Sequence, residues 1–171
     1  MDTAEPIEPA RAETGDRDAL VAELYRHGPM LLAAARVITL DNDEAEDLMQ
    51  TTFEIALRNL DGLREPRALR GWLLRIQARE AFRVTRRLRR LVSLDGHVEE
   101  IASQGHDLAQ RADVRRAMSA LPRRTRAAIA LHYLAGLSVA ETAEAMGVSE
   151  NTIKSQVRTG LERLRQELRD G

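Results

Sequence analysis

Between Ser138 and Ser149 the chain starts a helix, stops it and starts another. Ser138 followed three residues later by Glu141 is a capping-box pattern, in which the serine hydroxyl accepts from the amide of the glutamate and the carboxylate reaches back to the serine amide. Gly147 then offers the left-handed conformation that ends helices, and Ser149 supplies a second N-cap. Beyond it Ile153, Val157, Leu161, Leu164 and Leu168 are spaced four, four, three and four apart, which predicts one buried helix face. Two helices around so tight a turn, the second long and basic, make a helix-turn-helix. A plain helical hairpin with a solvated polar face is the simpler alternative.

The rest of the chain also has helical periodicity. A first helix is expected from Arg17 to His27, and a second from near Pro29, because proline suits a first helical turn. Leu31, Leu32, Ala35 and Ile38 would form its buried stripe. Residues 41–63 read as a third helix, with acids in its first turns, where the helix dipole favours them. Met49, Phe53, Ala56, Leu57 and Leu60 share one face, Asp47, Gln50, Glu54 and Arg58 another, and Gly62 is expected to end the element. Pro66 opens a long pattern anchored by Leu69, Trp72, Leu73 and Ile76. After a break, Val114, Ala117, Met118 and Leu121 form a further stripe; Pro122 restarts the chain and Gly136 stops it. Strands are not expected: the chain is rich in Ala, Leu, Arg and Glu, only 3% aromatic, and has no alternating β-branched runs. The fold class is all-α. At 171 residues it has room for two small helical domains.

The formal net charge of -1 hides a segregation of sign. Residues 1–16 read as a disordered acidic tail containing Pro6 and Pro9. Asp41 to Glu54 holds six acids and no base, whereas Arg64 to Arg90 holds ten arginines against Glu65 and Glu80. A basic block of that kind can neutralise phosphates. The start of the chain is not a signal peptide and no run is long and apolar enough to span a membrane, so no membrane insertion and a cytoplasmic location are expected. There is no cysteine, and His27, His97, His106 and His132 are scattered, so neither a metal nor a cofactor is expected.

Candidate functional residues fall on three stretches. At the start of the last helix, Asn151 suits adenine, Arg158 guanine or phosphate, and Lys154 phosphate, with Ser155 on the same side. The tract Arg83 to Leu91 ends the arginine-rich helix. The acidic helix has two carboxylates, Asp47 and Glu54, that invite a reading as acid/base or Mg²⁺ chemistry. They have no histidine partner, Gly-rich phosphate loop or pocket beside them. No nucleophile elbow, Walker loop or dinucleotide fingerprint occurs, so no enzyme is expected.

The order "DEAEDLMQTTFEIAL", "LRGWLLRI", an arginine-rich helix end, a break, then "ALPRRTRAAIALHYLAGLSVAETAEAMGVSENTIKSQVRTGLERLRQEL" closely resembles the extracytoplasmic-function (ECF, group IV) sigma factors of bacterial RNA polymerase, over about residues 17 to 169. The resemblance implies region 2 at 17–91, a flexible linker at 92–112 and region 4 at 113–171. Region 2 would dock on the β′ clamp helices of core RNA polymerase through Asp47, Gln50, Phe53 and Glu54. It would melt the promoter -10 element along Leu63 to Arg90, with Arg75, Arg79, Arg83, Arg86 and Arg87 at the DNA. Region 4 would read the -35 element through Asn151, Thr152, Lys154, Ser155 and Arg158 and touch the β-flap. The family also implies an anti-sigma factor as partner. The chain departs from the family in having Thr51 in place of a glutamate, and Arg79 and Arg83 in place of an Asn and an Asp. Two other readings are a sigma-like decoy that sequesters an anti-sigma factor and a stand-alone helix-turn-helix regulator.

Overall fold

The computed structural model describes residues 14–63, 65–91 and 108–169, with side chains for 17–63, 65–83 and 113–169. The acidic tail up to Glu13 and most of the expected linker lie outside the described residues. Among the described residues there is no strand, and the helices are α1 (Thr14–Arg26), α2 (Gly28–Thr39), α3 (Asn42–Arg58), α4 (Leu69–Leu91), α5 (Leu108–Ser119), α6 (Arg123–Ile129), α7 (Val139–Met146) and α8 (Glu150–Glu167). Short 3₁₀ turns at Leu60–Gly62 and Pro66–Ala68 lead into α4, and a π turn at Ala130–Leu134 extends α6.

Local chemistry sets the boundaries. Pro29 lies in the first turn of α2, and the Asp41 side chain caps α3 by accepting from the Glu44 amide at 2.7 Å. Leu40 joins the two helices in a left-handed conformation at φ 62°, unusual for a side chain with a Cβ. Helix α1 starts ahead of Arg17, and α5 ahead of Asp113.

Three sequence expectations are corrected. The deepest face of α3 is Ala45, Leu48, Thr52 and Ala56, while Met49, Phe53 and Leu57 are half-buried beside it. Thr52 escaped an apolar pattern because it is polar, yet its hydroxyl donates to the Leu48 carbonyl at 2.7 Å and so enters the core satisfied. Val114 is 45% exposed, whereas Ala117 of α5 and Leu121 just beyond its end are buried, and α5 packs on α8. Leu168 is 48% exposed, because it caps α8 past the last packed turn. In addition α3 ends at Arg58, and Gly62 closes the short turn after it.

The two halves of the chain do not stand apart. Helix α4 packs on α7, and α2 packs on α6 and its π turn. One buried cluster contains Leu31, Ile38, Leu73 and Leu74 from the first half and Ala127, Leu131, Leu137 and Met146 from the second. Burying one such leucine is worth roughly 1.5–3 kcal/mol, against at most about 1 kcal/mol for an exposed ion pair, so apolar contact dominates the cohesion. A polar clasp adds direction. Arg126, only 9% exposed, donates to the Ile38 carbonyl from Nη2 at 3.1 Å and from Nε at 3.2 Å, and to the Leu121 carbonyl from Nη1 at 2.8 Å. Arg115 donates to the Leu40 carbonyl at 2.6 Å, and Arg123 pairs with Glu44 at 2.6 Å. These cations lie at the C-terminal end of α2, where the helix dipole is negative. Burial, followed by repulsion from Arg123, holds the Arg126 guanidinium below the usual arginine value.

Candidate nucleic-acid and polymerase interfaces

The helix-turn-helix forms as its punctuation predicts. Ser138 Oγ accepts from the Glu141 amide at 3.2 Å, and Glu141 Oε2 accepts from the Ser138 amide at 2.7 Å. The two hydrogen bonds to Ser138, side chain first, lower the Glu141 pKa, and Arg70 and Arg75 add to the effect. Gly147 turns the chain at φ 64°, and Ser149 Oγ accepts from the Thr152 amide at 3.2 Å to start α8. Ile153 is fully buried, so Asn151, Lys154, Ser155 and Arg158 are left exposed along one side of the first turns of α8. Thr152 is placed differently. It is half-buried, with its hydroxyl 2.9 Å from Ser149 Oγ, and so belongs to the cap.

On α3, Asp47, Gln50 and Glu54 are exposed one helical turn apart. Glu54 is paired with Arg58 at 2.9 Å. Phe53 is turned away from them: its ring packs against Tyr25, with centroids 5.2 Å apart, and over Gly28. Thr51, the departure from the family pattern, is half-buried.

The arginine face of α4 is only partly free. Arg79 is exposed, and Arg83 is held by Glu80 at 2.7 Å. Arg75 Nη1 donates to Glu144 Oε1 of α7 at 2.6 Å. Arg86 and Arg87 lie on the helix, with side chains outside the described residues. A cleft of about 200 Å³ between the halves is lined by Arg67, Arg70, Gly71 and Arg75 on one wall and Leu137 and Glu141 on the other. Sequence reasoning missed this cleft and the clasp, because no local pattern records which faces meet across a long connection. The fully buried Gln77, whose Nε2 donates to the Leu31 carbonyl at 2.8 Å, was missed for the same reason.

The sequence matches sigma-70 region 2 over residues 24–91 and sigma-70 region 4 over residues 111–164. It is 30% identical over 143 residues to the ECF RNA polymerase sigma factor SigM of Mycobacterium tuberculosis, covering 83% of this chain and 73% of that one. The chain belongs to the extracytoplasmic-function sigma factors. It is also 28% identical over 129 residues to the RNA polymerase sigma factor SigV of Bacillus subtilis, covering 75% of this chain and 78% of that relative. Among solved structures it resembles the sigma factor RpoE co-crystallised with the anti-sigma factor NepR from Bartonella quintana. That match has a TM-score of 0.73 and 29% identity, and covers 89% of this chain and 98% of that one.

As a sigma factor the chain directs transcription initiation, and its family is not an enzyme family. Region 2 spans the end of α1 to α4, and region 4 spans α5 to α8. Among the described residues no helix is long and apolar enough to cross a membrane.

Proposed function

We propose that this sigma factor, working in the cytoplasm and making or breaking no bond itself, carries core RNA polymerase to promoters by a division of labour between its halves. Residues 17–91 act as region 2 and residues 113–171 as region 4, joined through 92–112. Region 2 holds the β′ clamp helices with the exposed side of α3, Asp47, Gln50 and Glu54, while Phe53 braces that helix against α1 and α2. The arginines of α4, with Arg75, Arg79 and Arg83 foremost and Arg86 and Arg87 beyond them, take the phosphates of the melted -10 strand. Region 4 inserts the start of α8 into the -35 major groove, where Asn151, Lys154, Ser155 and Arg158 meet base edges and phosphates, and it touches the β-flap. An anti-sigma factor is the expected regulator, a reading supported by the solved RpoE–NepR complex.

The observation that carries this reading is the exposure of both working faces at once: three polar side chains on α3, and four at the start of α8. The test is co-elution of the full chain with bacterial core RNA polymerase on a sizing column. Wild type is expected to co-elute. Asp47→Lys combined with Gln50→Arg is expected to abolish co-elution, because it reverses the charge of the docking face, with an unchanged far-UV circular dichroism spectrum. Retained co-elution of the double variant would remove α3 as the docking face.

A further inference from the structure

The start of α8 carries a carboxylate among the side chains assigned to the -35 element. Glu150, the first residue of the helix, is exposed, and its Oε2 lies 3.7 Å from Lys154 Nζ, one turn further on. Both side chains keep more than half of their surface free, 54% for the glutamate and 59% for the lysine, so neither is committed to packing. At about 3.6 residues per turn, Glu150 lies about 40° round the helix from Lys154 and about 80° from Arg158, whereas the buried Ile153 lies about 60° away on the opposite side. Glu150 is therefore on the edge of the face that enters the groove, next to its two cations. It is the only acid between Gly147 and Leu161.

That placement works against simple affinity. DNA carries one negative charge per about 1.7 Å of its axis, so a carboxylate at the groove is repelled at every sequence, and one paired with Lys154 also draws a cation away from phosphate. What a carboxylate supplies in return is discrimination. It accepts hydrogen bonds and donates none, so it is satisfied by the exocyclic amino group of a base and repelled by base carbonyls and ring nitrogens. We propose that Glu150 is a specificity-determining residue that, with Lys154, reads one C·G pair of the -35 element: the carboxylate accepts from cytosine N4, and the ammonium donates to O6 or N7 of the paired guanine. The proposal rests on the reading of α8 given under Proposed function. The spacing of the two groups fits such a pair. Cytosine N4 and guanine O6 are hydrogen-bonded to each other and so lie about 2.9 Å apart, close to the 3.7 Å between Oε2 and Nζ. The other pairs fit less well. A pair in the reverse orientation sets guanine O6 against the carboxylate. An A·T pair offers N6 to the carboxylate, but adenine N7 lies beside N6 and repels it, and thymine puts a methyl group where guanine offers N7 to the ammonium. An acid in the first turn also suits the positive end of the helix dipole, and that role alone has a different signature: it contributes to folding and leaves base preference untouched.

The test uses holoenzyme assembled from the full chain and bacterial core RNA polymerase. Promoter fragments with a randomised -35 segment are selected for binding and sequenced before and after. Wild type is expected to enrich a C·G pair at one position. Glu150→Ala is expected to lose about tenfold of the preference for that pair, the scale of one mismatched pair, while preferences at the other positions persist. Glu150→Gln keeps the shape of the side chain but donates as well as accepts, which suits adenine N7 and N6, so the same position is expected to move toward A·T. Unchanged base preferences in both variants, whatever happens to overall affinity, would show that Glu150 acts only as a charge, and overturn the proposal. Arg158→Ala separates that failure from a failure of α8 as the reader. If Arg158→Ala weakens binding or alters preferences while the Glu150 variants keep those of wild type, α8 reads the element without Glu150. If wild type enriches no sequence, or Arg158→Ala changes nothing either, the reading of α8 fails and the proposal falls with it.

Discussion

Gly160 lies where α8 crosses α6, and the contact leaves no room for a side chain. A Cβ at that position would come within 2.6 Å of Thr125 Cγ2 and 2.8 Å of Ile129 Cδ1. The isoleucine end can swing aside, but threonine is β-branched and stiff at χ1, so the helices themselves would have to separate. Gly160→Ala is therefore expected to lower stability by about 1–2 kcal/mol, despite the gain of roughly 1 kcal/mol in helix propensity that alanine brings. Urea unfolding of the two proteins decides it, and an equal or higher midpoint for the alanine variant would show that the crossing gives way easily. The sequence could not mark Gly160 as a packing residue, because a glycine inside a helix reads only as a weak point until its neighbour is known. By contrast, Ser138, Glu141, Gly147 and Ser149 were legible at once, since their partners lie within a few residues of each other.

Element by element, the same distinction sorts what was readable. Helices with their own caps and stripes, α2, α7 and α8, follow the pattern of their residues. The burial of α3 is rotated from its apolar stripe onto Ala45, Leu48 and Thr52, because the neighbouring helices, and not the stripe alone, decide which side is covered. Among candidate site residues, Asp47, Gln50, Glu54, Asn151, Lys154, Ser155 and Arg158 were correctly read as solvent-facing, whereas Phe53 and Thr152 serve packing and capping. The capping of α7 also gives that element a pH dependence. Folding lowers the Glu141 pKa, chiefly through its hydrogen bonds with Ser138, so the unfolded chain takes up this proton at a higher pH than the folded one. The contribution is complete above the unfolded value and is lost as pH falls through the folded value. Between about pH 6 and pH 3 the wild type is expected to lose more stability than Glu141→Gln, which keeps the neutral half of the box at every pH. Parallel pH profiles of the urea midpoint for the two proteins would mean that the carboxylate form of Glu141 contributes nothing.

At the scale of the whole molecule, the shared core makes the halves one cooperative unit. Apolar residues from both sides enter one cluster, and Arg126 of region 4 supplies hydrogen bonds to the end of a region 2 helix. Trp72, on α4, is the only tryptophan, so its fluorescence reports from a position in region 2, whereas far-UV circular dichroism averages over every helix. Two domains tied only by a linker would unfold independently, and the two signals would give separate transitions. Halves that share a core lose it together, so the two curves are expected to coincide. Arg126→Met extends the argument across the interface. It leaves the Ile38 and Leu121 carbonyls without their charged donor, a loss of about 1–3 kcal/mol for buried groups of this kind. The substitution lies in region 4, yet it should lower the midpoint seen by Trp72 in region 2, because the folded state that Trp72 reports includes the clasp. If the Trp72 transition stayed in place while the circular dichroism curve shifted or split, the two halves would be folding independently, and the contacts between them would contribute nothing to their stability.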